Sequence, residues 1–230
     1  MTIRTTPADV HPVDHDHVAD LDACLAFINT LELDGTDGLP DDHIPTLDDA
    51  IGWFAARSLA HEAALRTQAE RDPDGWLARV GAARGALREV WDSTVEGRSA
   101  DPAAVDLVND TLGHVAPPQL RPTLAGIAVD HRHEAADPLG EALARLAEAL
   151  AEALAEGDTS RFRICANDAC RWVFEDTSRG GRRRWCDMQS CGNRAKVRRF
   201  RSRQRAEEVA VDAASPAGHA HTADGGSAGA

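Results

Sequence analysis

Over most of residues 1–157 the apolar positions recur every three or four residues, the period of a helix that buries one face. Between Asp16 and Leu33 the set Val18, Leu21, Cys24, Leu25, Ile28 and Leu31 predicts a first such helix, ending before Gly35. Residues 34–45 are rich in Gly, Asp and Pro and read as a loop. Thr46 with Asp49 three residues on has the form of a capping box and opens a helix with Ile51, Phe54, Ala55, Leu59 and Leu65 inward. Asp72-Pro73, Asp101-Pro102 and Asp137-Pro138 each set a side-chain cap before a proline, whose fixed φ suits the first helical turn. They predict three further helices. The first carries Leu77, Val80, Leu87, Val90 and Trp91 to Gly97, and the second carries Val105, Val108 and Leu112. The third is Ala-rich, with a stripe of Leu139, Leu143, Leu146, Leu150 and Leu154 that Gly157 ends. Gly81 and Gly85 each cost a helix about 1 kcal/mol relative to Ala, so close packing is the expected reason for them. After Pro117-Pro118 the period changes: Leu120, Thr123, Leu124, Ile127 and Val129 around Gly126 predict a small β-hairpin, with His131 and His133 as polar strand-edge residues.

The pattern changes again after residue 160. Cys165 and Cys170 have four residues between them, fifteen follow to Cys186, and Cys186 and Cys191 again enclose four. Two short chelate loops joined by a hairpin-length spacer can present four thiolates to one Zn²⁺. Two disulfides or an iron–sulfur cluster are the other readings of four cysteines. Met1-Thr2-Ile3-Arg4 leads into an Asp/His stretch without an apolar run, so a reducing cytoplasmic location is expected, and there zinc is favoured. With sulfur in all four positions, the one Zn²⁺ per chain is expected to be structural. Cys24 sits on an apolar helix face and reads as a small buried hydrophobe. Between the two cysteine pairs, Arg171–Glu175 and Arg182–Cys186 alternate well enough to predict the strands of a hairpin turned at Ser178–Gly181. Trp172, Phe174 and Trp185 would then cover the metal.

Charge sharpens the division. The chain has a formal net charge of −13, yet residues 161–205 hold 14 basic and 4 acidic side chains, while residues 1–160 hold 11 basic and 30 acidic. From Ser190 a helix is predicted, with Ser190 as cap and Val197 and Phe200 facing inward. Arg194, Arg198, Arg201 and Arg205 form one stripe on it, and seven basic residues with no acid lie between Arg194 and Arg205. Such a helix suits a phosphate polymer. The candidate contacts are Arg182, Arg183, Arg184, Arg194, Lys196, Arg198, Arg199, Arg201, Arg203 and Arg205, with Asn193 either reaching a base or tying the helix start to the cysteine turn. Duplex DNA is the expected partner; an RNA-binding module or a protein-interaction adaptor is the alternative. No apolar run is long enough to span a bilayer, so no membrane partner is expected. The Leu stripe reads as core, with dimerisation as its second reading. His61-Glu62 lacks the second histidine of a zinc-protease pattern, since Leu65 stands there, and no nucleophile–base pair or phosphate loop is found. A non-enzyme is expected. In the N-terminal region Asn29 and Thr30 are a polar pair that could line a ligand pocket or satisfy neighbouring backbone.

The run CANDAC, F-x-D-x-S-R, RRWC and CGNRAK resembles the CGNR zinc finger family, named for the residues found here as Cys191-Gly192-Asn193-Arg194. The preceding region resembles the ABATE domain, where Phe27-Ile28-Asn29-Thr30 looks like its F-V-N-T element; Ala26 stands where that family tends to have an acid. The resemblance implies a treble-clef-like finger, an N-terminal α+β domain that senses a small-molecule effector, and a proposed role as a stress-linked transcription regulator. The expected architecture is thus α+β and mostly helical. Its parts are an arm at 1–15, a helical domain with a small hairpin at 16–157, a four-cysteine zinc finger at 161–205 and a mostly disordered tail at 206–230.

Overall fold

The computed structural model describes residues 20–32, 40–115, 118–124, 126–131 and 137–214. The expected arm at 1–15, His133 and residues 215–230 of the tail lie outside them. The chain divides into two compact units, Met1–Cys186 and Asp187–Ala230, and each is taken by itself.

The first unit is mostly helical. Helix α1 (Leu21–Ile28) begins at Asp20, whose carboxylate accepts the Ala23 N–H at 2.8 Å, and it buries Cys24, Leu25, Phe27 and Ile28. It stops five residues short of the predicted Leu33. The Thr30 hydroxyl donates to the Phe27 carbonyl at 2.7 Å, and the Thr30 carbonyl accepts the His43 N–H at 2.8 Å. The chain is thereby drawn into β1 (Leu31–Glu32), which pairs antiparallel with β2 (Asp41–Asp42). The single helix predicted after Thr46 is two, α2 (Leu47–Ala56) and α3 (Glu62–Ala69). Ser58 breaks it at φ 54°, where the amides of Arg57, Ser58 and Leu59 fold back on the carbonyls of Phe54 and Ala55. Leu59 and Leu65 are buried all the same.

The three Asp-Pro starts hold. They open α4 (Pro73–Glu96), α5 (Pro102–Leu112) and α6 (Pro138–Glu156), each with its aspartate capping a backbone N–H. Gly97 ends α4 at φ 65°, a left-handed position that a Cβ would strain. Leu139, Leu143, Leu146 and Leu150 of α6 are all buried, so that stripe is core. Helix α5 has no buried residue, and Val105 is exposed. A Cβ built at Gly81 or Gly85 meets nothing within 4 Å, so close packing is not what these glycines provide. Strands β3 (Pro118–Thr123) and β4 (Gly126–His131) form the expected hairpin, with Leu120, Leu124 and Ile127 exposed.

Behind α6, a 3₁₀ turn (Thr159–Arg161) leads into β5 (Phe162–Ile164), which pairs antiparallel with β6 (Val173–Glu175). This corrects the predicted hairpin: Phe162–Ile164, not Arg182–Cys186, is the partner of residues 173–175. The reason lies in the core. Phe162 and Val173 are buried in the cluster that α1, α4 and α6 build. The Phe162 ring stacks on Trp91 with centroids 4.1 Å apart, and the Trp91 indole N–H donates to the Arg163 carbonyl at 3.1 Å. The first half of the cysteine module is thus part of the helical body. Among the described residues no helix is long and apolar enough to cross a membrane.

Candidate metal centre and basic helix

The first cysteine turn grows out of β5. The Cys165 N–H donates to the Trp172 carbonyl at 2.8 Å, extending the ladder by one bond. Buried Asn167 then gives its carbonyl to the N–H groups of Cys170 and Arg171, at 2.8 and 3.1 Å, and its own N–H to the Cys165 sulfur. Arg171 follows at φ 51°, a left-handed conformation costing on the order of 1 kcal/mol or more in a non-glycine residue. The second turn is capped by Asp187, not by Ser190 as expected: its carboxylate accepts the Ser190 N–H at 2.6 Å and its carbonyl the Gly192 N–H at 3.0 Å. A π turn (Met188–Gly192) carries Cys191 into α7 (Asn193–Ala214).

The Sγ atoms of Cys165, Cys170, Cys186 and Cys191 all lie within 4.8 Å of one another, and those of Cys170 and Cys186 are 3.7 Å apart. A zinc tetrahedron with Zn–S bonds of about 2.3 Å has S···S edges of about 3.8 Å, whereas a disulfide would bring two sulfurs to about 2 Å. None of the cysteines is in a disulfide, and these four fit one Zn²⁺ with no coordination position left over. Their proximity also opposes simultaneous ionisation of Cys165, Cys170 and Cys186 without a metal. Hydrogen bonds from the Cys170 and Cys186 thiols hold Cys165 far below the ordinary thiol range. That same sulfur drives Cys186 far up and Cys170 up to about 12. A bound dication offsets that mutual opposition. Cys24, by contrast, is raised to about 12 by burial alone, as its apolar position implied.

Around the centre Phe174 is buried, while Trp172 and Trp185 are half-buried. Asp176, fully buried, organises the loop to Arg183. Its carboxylate accepts the Ser178 hydroxyl and N–H and, at 2.7 Å, the Arg183 N–H; these bonds, the hydroxyl first, hold it below the usual carboxylate range. The Arg183 guanidinium donates to the Cys186 carbonyl and lies 4.9 Å over the Phe174 ring. Arg182 and Arg184 are exposed, the latter with its guanidinium 5.4 Å from the Trp185 ring.

In the second unit Arg194, Lys196, Arg198, Arg199, Arg201, Arg203 and Arg205 are all exposed on α7. Among the described residues none of them pairs with a carboxylate. Val197 and Phe200 were expected to face inward; they are 48% and 61% exposed. The Asn193 amide donates to the Gln189 carbonyl at 2.9 Å and so ties the helix start to the preceding turn. Helix α7 continues nine residues past the expected end at Arg205, to Ala214.

Asn29 and Thr30 line a cleft of about 620 Å³ in the first unit. Both also hold the fold. The Asn29 amide donates to the Val173 carbonyl and accepts the Val173 N–H, each at 2.9 Å, so one side chain hydrogen-bonds α1 to β6. The Thr30 hydroxyl accepts from Arg84 at 2.9 Å. Arg84, buried on α4, also forks onto Asp42 at 2.6 and 2.8 Å. Arg84, Asn167 and Asp176 are not among the sequence-predicted site residues. Arg84 lies in register with the core residues Val80, Leu87 and Trp91, and a cation at an inward helical position announces a buried partner. Asp176-x-Ser178 is the spacing of an Asx turn.

Comparison with known protein families divides the chain elsewhere, between residues 157 and 161, ahead of the structural boundary at Cys186–Asp187. Residues 161–204 match the CGNR zinc finger family. Residues 21–157 match the ABATE family, described as a putative stress-induced transcription regulator. No curated protein matches the chain. Since the second match covers more than half of its residues, the chain belongs to the ABATE family and carries a CGNR zinc finger behind that domain.

Proposed function

We propose that the protein is a transcription regulator that binds duplex DNA through α7 and the arginines beside the second cysteine turn, with zinc setting the geometry of that turn. The observation that carries this reading is the run of seven exposed basic side chains on α7, none matched by a carboxylate among the described residues. Like charges crowded on one helix repel, and a phosphate backbone relieves that repulsion while releasing counterions. Arg194, Lys196, Arg198, Arg199, Arg201, Arg203 and Arg205 would contact phosphates and base edges, with exposed Arg182 and Arg184 as further phosphate contacts. The zinc supplies no reaction, because four sulfurs fill its coordination sphere; its work is to hold the two turns. We read the helical body as the part that senses a small molecule, using the cleft that Asn29 and Thr30 line.

Fluorescence anisotropy with zinc-loaded full-length protein tests the partner. Random-sequence duplex DNA should bind with an affinity that falls steeply between about 50 and 200 mM salt. Structured RNA and an acidic peptide should compete less well than unlabelled duplex. If either displaces the duplex at lower concentration than duplex itself does, the DNA assignment fails.

A further inference from the structure

The cleft of about 620 Å³ has a composition that the basic helix does not explain. It is the size of a small-molecule site, and its walls carry Trp53 of α2, Trp172 and Phe174 beside two guanidinium groups, Arg57 and Arg183. Arg57 lies 4.0 Å over the Trp53 ring and, among the described residues, hydrogen-bonds only the Trp53 carbonyl, at 3.4 Å. Arg183 lies over Phe174 and donates to the Cys186 carbonyl. Among the described residues neither guanidinium pairs with a carboxylate. Arg57 is exposed, and partial desolvation lowers its pKa. The polar side chains at the cleft floor are already engaged, Asn29 with Val173 and Thr30 with Phe27 and Arg84.

Aromatic walls alone would equally suit a cationic guest. Here two of the three rings already carry a guanidinium from the chain, which disfavours a cation and leaves planar N–H edges for an anion to fork onto. We propose that the cleft binds a small aromatic carboxylate, its ring against Trp53, Trp172 and Phe174 and its carboxylate on Arg57 and Arg183. The carboxylate can belong to a simple aromatic acid or to an aromatic amino acid, whose ammonium would face Asp22 or Glu175, which also line the cleft. This inference rests on the small-molecule reading above and gives it a ligand class. It also supplies a route to the metal centre: Cys186 lines the cleft, and Arg183 holds its carbonyl. An occupied cleft therefore restrains Cys186 and slows zinc loss.

Calorimetric titration of the zinc-loaded full chain with benzoate, L-phenylalanine, phenethylamine and acetate tests the proposal without DNA, so its failure is separable from failure of the nucleic-acid reading. Benzoate or phenylalanine should bind saturably, with acetate and phenethylamine at least about tenfold weaker. Tighter binding of phenylalanine than benzoate would assign the amino-acid form. The Arg57→Gln variant should weaken benzoate about tenfold with an unchanged circular dichroism spectrum, and Arg57→Lys should weaken it less. Saturating ligand should slow zinc transfer to a chromophoric chelator severalfold. The proposal is overturned if neither carboxylate binds by about 10 mM, if phenethylamine binds as well as benzoate, or if Arg57→Gln leaves benzoate binding intact. Unchanged zinc transfer with ligand bound would refute the route through Cys186.

Discussion

The two halves of the cysteine module use arginine in opposite ways. From residue 161 to 186 the guanidinium groups of Arg161, Arg163 and Arg183 are architectural. Arg161 donates to the carbonyls of Asp176 and Ser178 at 2.8 and 3.0 Å. Arg163 bonds those of Ser160, Phe162 and Gly181, and Arg183 that of Cys186. From residue 193 to 205 seven basic side chains are exposed with no carboxylate partner among the described residues. Net charge therefore misstates the binding surface: part of the positive charge of residues 161–205 is consumed in folding, and most of the uncommitted part lies on one helix. Arginine suits both tasks, since its planar fork satisfies several carbonyls at once and equally grips phosphate.

Removing the metal should erase the distinction with the largest effect. Structural zinc contributes on the order of 10 kcal/mol to small sites, so chelation of the full chain should unfold the turn at Asp187–Gly192 and abolish DNA binding. Circular dichroism and anisotropy before and after readdition of Zn²⁺ would check it, and binding that survives chelation would break the link between zinc and α7. A fragment of residues 161–230 should fare nearly as badly even with zinc. It exposes Phe162 and Val173, each losing roughly 1.5–3 kcal/mol of burial, and it lacks Trp91 and Asn29. Broad amide resonances are expected; a well-dispersed spectrum would show that the finger folds alone.

Asn29→Ala isolates one tie between body and finger. It leaves the Val173 N–H and C=O buried without their partner, so a loss of about 2–4 kcal/mol is expected in denaturant unfolding of the zinc-loaded protein. A smaller paired contrast addresses the arginines directly. Arg161→Ala gives up two carbonyl bonds and should cost about 1–2 kcal/mol of stability, whereas Arg199→Ala should change stability by less than about 0.5 kcal/mol. Equal losses from the two would dissolve the contrast.

What the sequence makes legible follows from the range of the interactions. Asp-Pro caps are local, and all three begin helices where expected; the four cysteines are spaced by the needs of one metal, and their sulfurs converge. The pairing of β5 with β6 was not legible, because the reason for it is Trp91, 71 positions before Phe162, and no local period announces a stacking partner so distant. Local alternation in Arg182–Cys186 pointed to a strand that Asp176, by taking the Arg183 N–H, turns into an irregular segment. Asn29 shows both sides: its polarity on an apolar face marked it, yet only the fold shows that both of its amide atoms meet Val173, 144 residues on.

The most direct measurement is the salt dependence of duplex affinity for the wild type against Arg198→Ala/Arg201→Ala/Arg205→Ala, both zinc-loaded. Each lost phosphate contact reduces the slope of log K against log salt by about 0.9, so three uncommitted arginines predict a slope shallower by about 2.7. An unchanged slope, with the variant folded and its zinc retained, would contradict the assignment of α7 as the nucleic-acid surface.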